Sequence, residues 1–481
     1  MSSGNNNIKP TVIMVTSNGV GAGHLIRASA IARKIQSEAR PIILSMAYSV
    51  IEVANSLNIE AEYIPSRDKR LMGVRKWDKY LRDRIVALID ETNAKVVTFD
   101  GVVPYPGFIQ AKSKRAEVSF IWIRRGMWRE IPRGLNLKLQ SKLIDSIIEP
   151  GDYAHEYDNG PTKNLKDAIV CSPVSLYEPS LTLKKTAAKS FLGLDPKKPS
   201  VLLQLGVGET DLNERVSASL RGLASWGNVE IVMAKEPINE QGVSLLPKGI
   251  DVKIIRHFPL ADVIHAFDAV ICAAGYNSVH EVIPARVPTL LIDNSRGTDD
   301  QNARARWCND AGLTLFANSN SLLEIEKKAA ELKNKKTRNT LINACNDIFI
   351  PKGASEIGEI ILKYINKSSK ATLKSKITRE RYKLELLLQK GIVYIIKRGI
   401  NNLIYLAALI YRFFIPKKYE NPSDAQILFS DTLDLVTSTT LIKSNKRFEH
   451  LLLNYSPKYF ASRKEIAKKA YRVNESSIIK Q

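Results

Sequence analysis

Two glycine-punctuated turns lie about 250 residues apart in this chain. One is Gly19, Val20, Gly21, Ala22, Gly23 and His24, and the other runs from Gly275 through Tyr276, Asn277, Ser278, Val279 and His280 to Glu281. Each follows an apolar run that reads as a strand, and each opens a segment with helical spacing of apolar residues. A strand, a tight turn and a helix start together aim free backbone N–H groups and the positive helix end into one space. That arrangement receives an anion such as a phosphate. His24 closes the first turn, where an imidazole of ordinary basicity can take a proton from a hydroxyl; the alternative is a histidine that only begins a helix. Gly206, Gly208 and Thr210 form a third turn after a strand-like run, a pattern equally common as a plain tight turn.

The elements that must hold these turns alternate. Residues 11–16, 41–46, 95–99 and 118–123 read as buried strands, and 25–35, 50–57 and 77–89 as helices. A Lys-rich, Pro-containing stretch at 181–199 reads as a linker. A second series follows, with strands at 200–205, 229–233, 252–255, 269–272 and 288–292 and a helix at 212–223. Such βαβ series predict doubly wound parallel sheets, whose ligands lie beyond the carboxyl ends of the strands, where all three glycine turns fall. The expectation is therefore an α/β chain of two Rossmann-like domains facing across a cleft, residues 1–175 and 176–365, with a basic, mostly helical extension at 366–481. The dinucleotide pattern needs a third glycine three residues after the second, but His24 and Asp211 occupy those places, which argues against a nicotinamide or flavin cofactor.

With 481 residues, 44% hydrophobic and 25% charged, the chain can bury two ordinary cores. Its net charge is +22, and residues 366–481 hold 23 Lys and Arg against 9 Asp and Glu, a net +14. Within that extension the longest uninterrupted apolar stretch, 403–411, falls short of the ~20 residues of a membrane span. It reads either as an interfacial helix on an anionic membrane or as a helix packed on the protein body. No recognisable nucleic-acid module accompanies the charge, so no nucleic-acid partner is expected. Four widely spaced cysteines and a polar N-terminus point to the cytoplasm. The six histidines show no metal-ligand spacing, and no Asp-x-Asp ends a strand, so no metal and no other cofactor is expected.

The stretch 269–293, with Asp299, Asp300, Gln301 and Asn302 after it, resembles the donor-binding signature of nucleotide-sugar glycosyltransferases of the GT-B fold, both the UDP-sugar transferases and family 28, where it is similar to the MurG-like group. The resemblance spans roughly residues 10–365, because the turn at Gly21 and Gly23 matches the first glycine loop of that group. It implies that Gly275, Asn277 and Ser278 hold the donor phosphates, that Gly206, Gly208 and Thr210 form a second phosphate-facing loop, and that Glu281 accepts hydrogen bonds from ribose hydroxyls. It further implies that Asp300 and Gln301 read the sugar hydroxyls and that Phe258 stands beside the uracil, although a phenylalanine there is more often plain core. In the UDP-sugar transferases a histidine at the place of His24 is the general base, oriented by a strand-end aspartate; Asp100 fits that partner or else is an ordinary turn residue.

Where the family often has proline three residues after this histidine, the chain has Arg27, which is expected either against a phosphate or as a cap on the pocket. The basic stretches 67–84 and 121–129 lie in the half that holds the acceptor in this fold. Arg124, Arg125, Trp122 and Trp128 are expected either against a phosphorylated or membrane-borne acceptor or as a solvated basic face with core tryptophans.

The resemblance thus implies an inverting, metal-independent transferase. Its donor would be a UDP-sugar and its acceptor a glycan or lipid-linked hydroxyl of cell-surface glycan synthesis, with the enzyme peripheral on the inner face of the membrane. The rival readings are a UDP-sugar 2-epimerase of the same fold, a basic nucleic-acid- or membrane-binding scaffold, and a catalytically inactive partner subunit.

Overall fold

The computed structural model describes residues 9–17, 22–47, 49–66, 73–129, 137–206, 211–234, 251–294 and 298–366. The calls on Gly21, Gly208, Thr210 and the extension from 367 onward lie outside them. Nearly all described residues belong to one compact unit, residues 1–68 and 78–376; only 73–77, the start of one helix, belong to a second unit formed with 377–481.

In chain order the first half runs β1 (Thr11–Thr16), α1 (Gly23–Ile35), β2 (Arg40–Ser45), α2 (Val50–Leu57), β3 (Glu60–Tyr63), α3 (Val74–Thr92), β4 (Val96–Asp100), α4 (Pro106–Lys114), β5 (Ser119–Ile123), α5 (Leu137–Ser141), β6 (Ser146–Pro150) and β7 (Ile169–Cys171). The second half runs α6 (Lys185–Phe191), β8 (Ser200–Gln204), α7 (Leu212–Ala224), β9 (Glu230–Ala234), β10 (Val252–Ile255), β11 (Ala269–Ala273), α8 (Tyr276–Val282), β12 (Thr289–Ile292), α9 (Gln301–Asp310), β13 (Leu315–Ala317), α10 (Leu322–Glu331), α11 (Lys335–Ala344) and α12 (Gly353–Ile365). The expected linker therefore contains a helix, α6, because Ala188 and the stem of Lys189 are buried there.

Every strand pairing is parallel. The order is β3-β2-β1-β4-β5-β6-β7 in the first sheet and β10-β9-β8-β11-β12-β13 in the second. Both sheets thus reverse direction beside their first strand, between β1 and β4 and between β8 and β11, the two places where a crevice opens in a doubly wound sheet. Strands covered by helices on both faces read as unbroken apolar runs. Val12, Ile13, Met14 and Val15 of β1 and Val201, Leu202 and Leu203 of β8 are accordingly buried. One apolar cluster passes from β1 and α1 through Tyr153, Val174 and Tyr276 into β11 and α8, so the two sheets share a continuous core.

The chain finally returns to the first sheet. Helix α12 buries Ala354, Ile357, Gly358 and Ile361, a stripe at helical spacing, and packs on α1. Its first residue lies against the backbone that follows β7: Gly353 N donates to Pro173 O at 3.0 Å, and a Cβ at Gly353 would stand 2.0 Å from Ser172 O. The substitution Gly353→Ala should therefore lower stability by about 1–3 kcal/mol through a clash that backbone atoms must absorb. Thermal denaturation of the full chain checks this, and an unchanged melting temperature would show that α12 docks differently.

Candidate active site

His24 follows the crevice end of β1 and Asp100 is the last residue of the neighbouring β4, with Thr16 and Asp100 in register. Parallel pairing thus brings two residues 76 positions apart to one edge. His24 Nδ1 and Asp100 Oδ1 stand 2.7 Å apart, with the carboxylate 1% and the imidazole 16% exposed. Arg27, one turn further along α1, also faces the carboxylate. Its Nε donates to Asp100 Oδ2 at 3.0 Å and its Nη2 to Oδ1 at 2.5 Å, while Nη2 also lies 2.8 Å from His24 Nδ1.

Asp100 as a carboxylate only accepts and Arg27 only donates. When Nδ1 carries the proton toward Asp100, Nε2 keeps the lone pair, which is the tautomer a base needs. Burial pushes the His24 imidazole below its ordinary value, and Arg27 and Arg125 add to this against the pull of Asp100. Burial would raise the Asp100 carboxyl, but Arg27 and His24 override it and hold it below the usual range. At neutral pH the pair is therefore neutral imidazole beside carboxylate.

The second glycine turn meets the first. Asn277 Nδ2, on the first turn of α8, donates to Gly23 O at 3.2 Å. Helix α1 begins after Ala22 and α8 after Gly275, and neither preceding residue caps its helix with a side chain. Two helix starts without side-chain caps, whose first N–H groups have no partner within their own helix, consequently adjoin. A Cβ at Gly275 would meet nothing within 4 Å, and the half-buried Ser278 lies on the same turn. At the end of β8, Gly206 takes φ +79°, a left-handed conformation suited to glycine. Asn294 supports that turn by donating to Leu205 O at 3.1 Å while accepting from Arg215 at 2.8 Å.

The other donor-side residues spread around this point. Glu281 is half-buried at the far end of α8, and burial, with Asp262 nearby, pushes its carboxyl up to about 8. Phe258 is half-buried and packs on the main apolar cluster, as the core alternative anticipates. Asp300 caps α9, with Oδ1 accepting from Ala303 N at 3.0 Å. Gln301 is buried, donates to Asp299 Oδ2 at 3.3 Å, and has no partner for Oε1 among the described residues.

Of the five residues expected against a phosphate or an acceptor, Arg27, Arg124, Trp122 and Trp128 face protein, the two tryptophans as the core alternative has it. Arg27 is consumed by Asp100 and lies 5.2 Å over the Tyr276 ring. Arg124 is fully buried, paired with Asp167 at 2.6 Å and stacked on Trp122 at 5.3 Å. Trp128 is 1% exposed, with its backbone carbonyl packed tightly against Gly160. The cause is charge neutralisation and ring burial by partners distant in sequence. Arg125 reaches across instead, to Asp299 at 2.6 Å.

Sequence reasoning gave no role to the residues that clamp the two sheets together. Tyr276 OH donates to Gly151 O at 2.8 Å and accepts from Val174 N at 2.9 Å. His280 Nε2 accepts from Tyr153 N at 3.2 Å, a neutral histidine whose basicity burial depresses to about 4. Arg304, fully buried, donates to Asp152 at 2.8 Å, Ala274 O at 3.0 Å and Asp299 at 3.0 Å. The spacing of Tyr276 and His280, four residues apart on one helix face, was the available signal. Among the described residues no group of three or more His, Cys, Asp or Glu side chains is placed to hold a metal, and no helix is long and apolar enough to cross a membrane.

Comparison with known proteins agrees with this fold. Residues 206–356 match the glycosyltransferase family 28 C-terminal domain. A protein of Nocardioides sp. (strain ATCC BAA-499 / JS614) is 32% identical over 135 residues, 27% of this chain and 36% of its own length. One from Rhodococcus jostii (strain RHA1) is 23% identical over 318 residues, 63% of this chain and 82% of its own. Both are named UDP-N-acetylglucosamine--N-acetylmuramyl-(pentapeptide) pyrophosphoryl-undecaprenol N-acetylglucosamine transferase. Among solved structures, the glycotransferase of kitacinnamycin shares the fold at 14% identity and a TM-score of 0.52, covering 74% of this chain and 99% of that one. With two doubly wound parallel sheets and a match to the family 28 C-terminal domain at the second, the chain is a glycosyltransferase of the GT-B fold, resembling the MurG-like members of family 28.

Proposed function

We propose that the chain transfers N-acetylglucosamine from its UDP-sugar, with inversion, to a hydroxyl of a lipid-linked intermediate of cell-surface glycan synthesis. The sugar and acceptor classes are supported by the names of the relatives. The observation that carries the reading is the hydrogen bond from Asn277 to Gly23, which sets an open helix start beside the His24 and Asp100 pair.

In this reading the amides at the start of α8, with Asn277 and Ser278, receive the diphosphate, and the turn at Gly206 lines its other side. Glu281 meets the ribose, Phe258 the uracil, and Gln301 with Asp300 the sugar. His24 Nε2 takes the proton of the acceptor hydroxyl as that oxygen bonds to the anomeric carbon. The bond from that carbon to the phosphate oxygen breaks at the opposite face, UDP leaves with its electron pair, and the configuration inverts. Asp100 holds the imidazole tautomer and offsets the charge of the imidazolium. The departing diphosphate is stabilised by helix-end amides and dipoles, with no metal required. The net +14 of residues 366–481 draws the enzyme to an anionic cytoplasmic membrane face, at ~1 kcal/mol per basic residue near the surface.

His24→Ala should lower turnover by about 10²–10⁴-fold while the affinity for UDP stays within about twofold, because proton transfer is lost and the phosphate site is not. Single-turnover kinetics with excess EDTA, alongside UDP calorimetry, measures both; unchanged turnover in the variant, or wild-type turnover abolished by the chelator, would contradict the mechanism.

The base works only when neutral, so kcat/KM should rise with pH through the imidazole's depressed value and level off by neutrality. Arg27→Gln removes a neighbouring positive charge and should move that acidic limb to higher pH. A pH profile with an unmoved limb would remove Arg27 from the electrostatics of the base.

Full-length protein should co-sediment with phosphatidylglycerol vesicles at low salt and be released at high salt, whereas phosphatidylcholine vesicles should not retain it. Equal retention on both would exclude charge as the attraction.

A further inference from the structure

We propose that Asp299 is a positioning residue for recognition of the donor sugar, held in place by Arg125 from the opposite lobe. This rests on the reading of residues 300 and 301 as the sugar-facing pair and extends it to two residues that the resemblance does not assign to the sugar.

The segment before α9 is built onto the first domain. Trp128 and Asp299 form an antiparallel bridge, Arg129 N donates to Thr298 O at 2.9 Å, and Asp300 N donates to Met127 O at 3.1 Å. The loop after β5 therefore fixes the backbone immediately before Gln301. The side chain of Asp299 is fixed as firmly. Its Oδ1 takes Arg125 Nη1 at 2.6 Å and Arg304 Nη2 at 3.0 Å. Burial would raise its carboxyl, but the two guanidinium groups hold it far below the usual range, so it stays a carboxylate. Arg304 is itself anchored on Asp152 and Ala274 O, which leaves Asp299 no room to swing.

The remaining oxygen, Oδ2, accepts from Gln301 Nε2 at 3.3 Å. A carboxylate accepts only, so it compels the NH₂ end of the Gln301 amide to face it. The amide oxygen then points away, and it is the buried acceptor left without a partner among the described residues. An unmatched buried acceptor costs enough that a hydroxyl placed against it is strongly favoured over a group that cannot donate. Asp299 thereby makes Gln301 an acceptor toward a sugar hydroxyl. Because Arg125 belongs to the lobe of the first sheet, that choice depends on the two lobes being together.

The test uses the full chain, with UDP, UDP-N-acetylglucosamine and UDP-N-acetylgalactosamine titrated calorimetrically into wild type, Arg125→Met and Asp299→Asn. Both variants should bind UDP within about twofold of wild type. They should lose about tenfold in preference between the two sugar epimers, and KM for the preferred donor should rise more than kcat falls. Arg125→Met alters a partly exposed side chain and keeps the test open where Asp299→Asn fails to fold. Unaltered epimer preference in folded variants, or an equal loss of UDP and UDP-sugar affinity, would overturn the role given to Asp299 alone. A wild type that binds no UDP would overturn the donor-site reading as well.

Discussion

A carboxylate buried at the end of a central strand must be met by positive charge, and Asp100 is such a group. Taking an isolated carboxylate out of water is far too costly to leave uncompensated. The compensation comes from consecutive turns of α1, where Arg27 forks onto both oxygens and His24 meets one of them. That demand fixes the rotation of α1 and the place of its first residue, Gly23. The carbonyl of Gly23 in turn receives the Asn277 amide, which locates the start of α8. One desolvated charge thus orders His24, Arg27 and the helix start of the opposing domain.

Tight fastening of the two domains follows the same logic. Arg304 is inside the protein because Asp152 and Asp299 are inside with it, one in each lobe, and His280 stays neutral because burial depresses its basicity. Removing one member would leave an unpaired buried charge, which is more damaging than never having had the pair. The interface therefore combines a specific polar network with the apolar cluster running through Tyr153, Val174 and Tyr276. A donor seated at the start of α8 would lie beside this network, so sugar recognition and lobe contact share residues.

Much of this was legible in the sequence. The runs at 11–16 and 252–255 coincide with β1 and β10, because strands of a parallel sheet advertise themselves as short apolar blocks between turns. β3, with the sequence Glu-Ala-Glu-Tyr, was illegible because an edge strand keeps polar residues, and β7 and β13 are only three residues long. At the site, a histidine after a glycine turn and an aspartate closing a strand carry their own signal, and parallel register does the rest. Arg27 and Arg124 carried a misleading one. A basic residue near a cleft reads as a phosphate ligand until its carboxylate is found, and those partners are 73 and 43 positions away. Asp299 was invisible for the same reason, since its role depends on a bridge to Trp128 that no local pattern encodes.

The claim on which the account stands is that the phosphate-receiving helix start and the imidazole share one space. A crystal structure of the full chain with UDP tests it most directly. The diphosphate should accept from backbone amides at the start of α8 around Asn277 and Ser278, with His24 Nε2 facing the volume just beyond the terminal phosphate. UDP bound elsewhere, or bound there with the imidazole shut off behind protein, would contradict it.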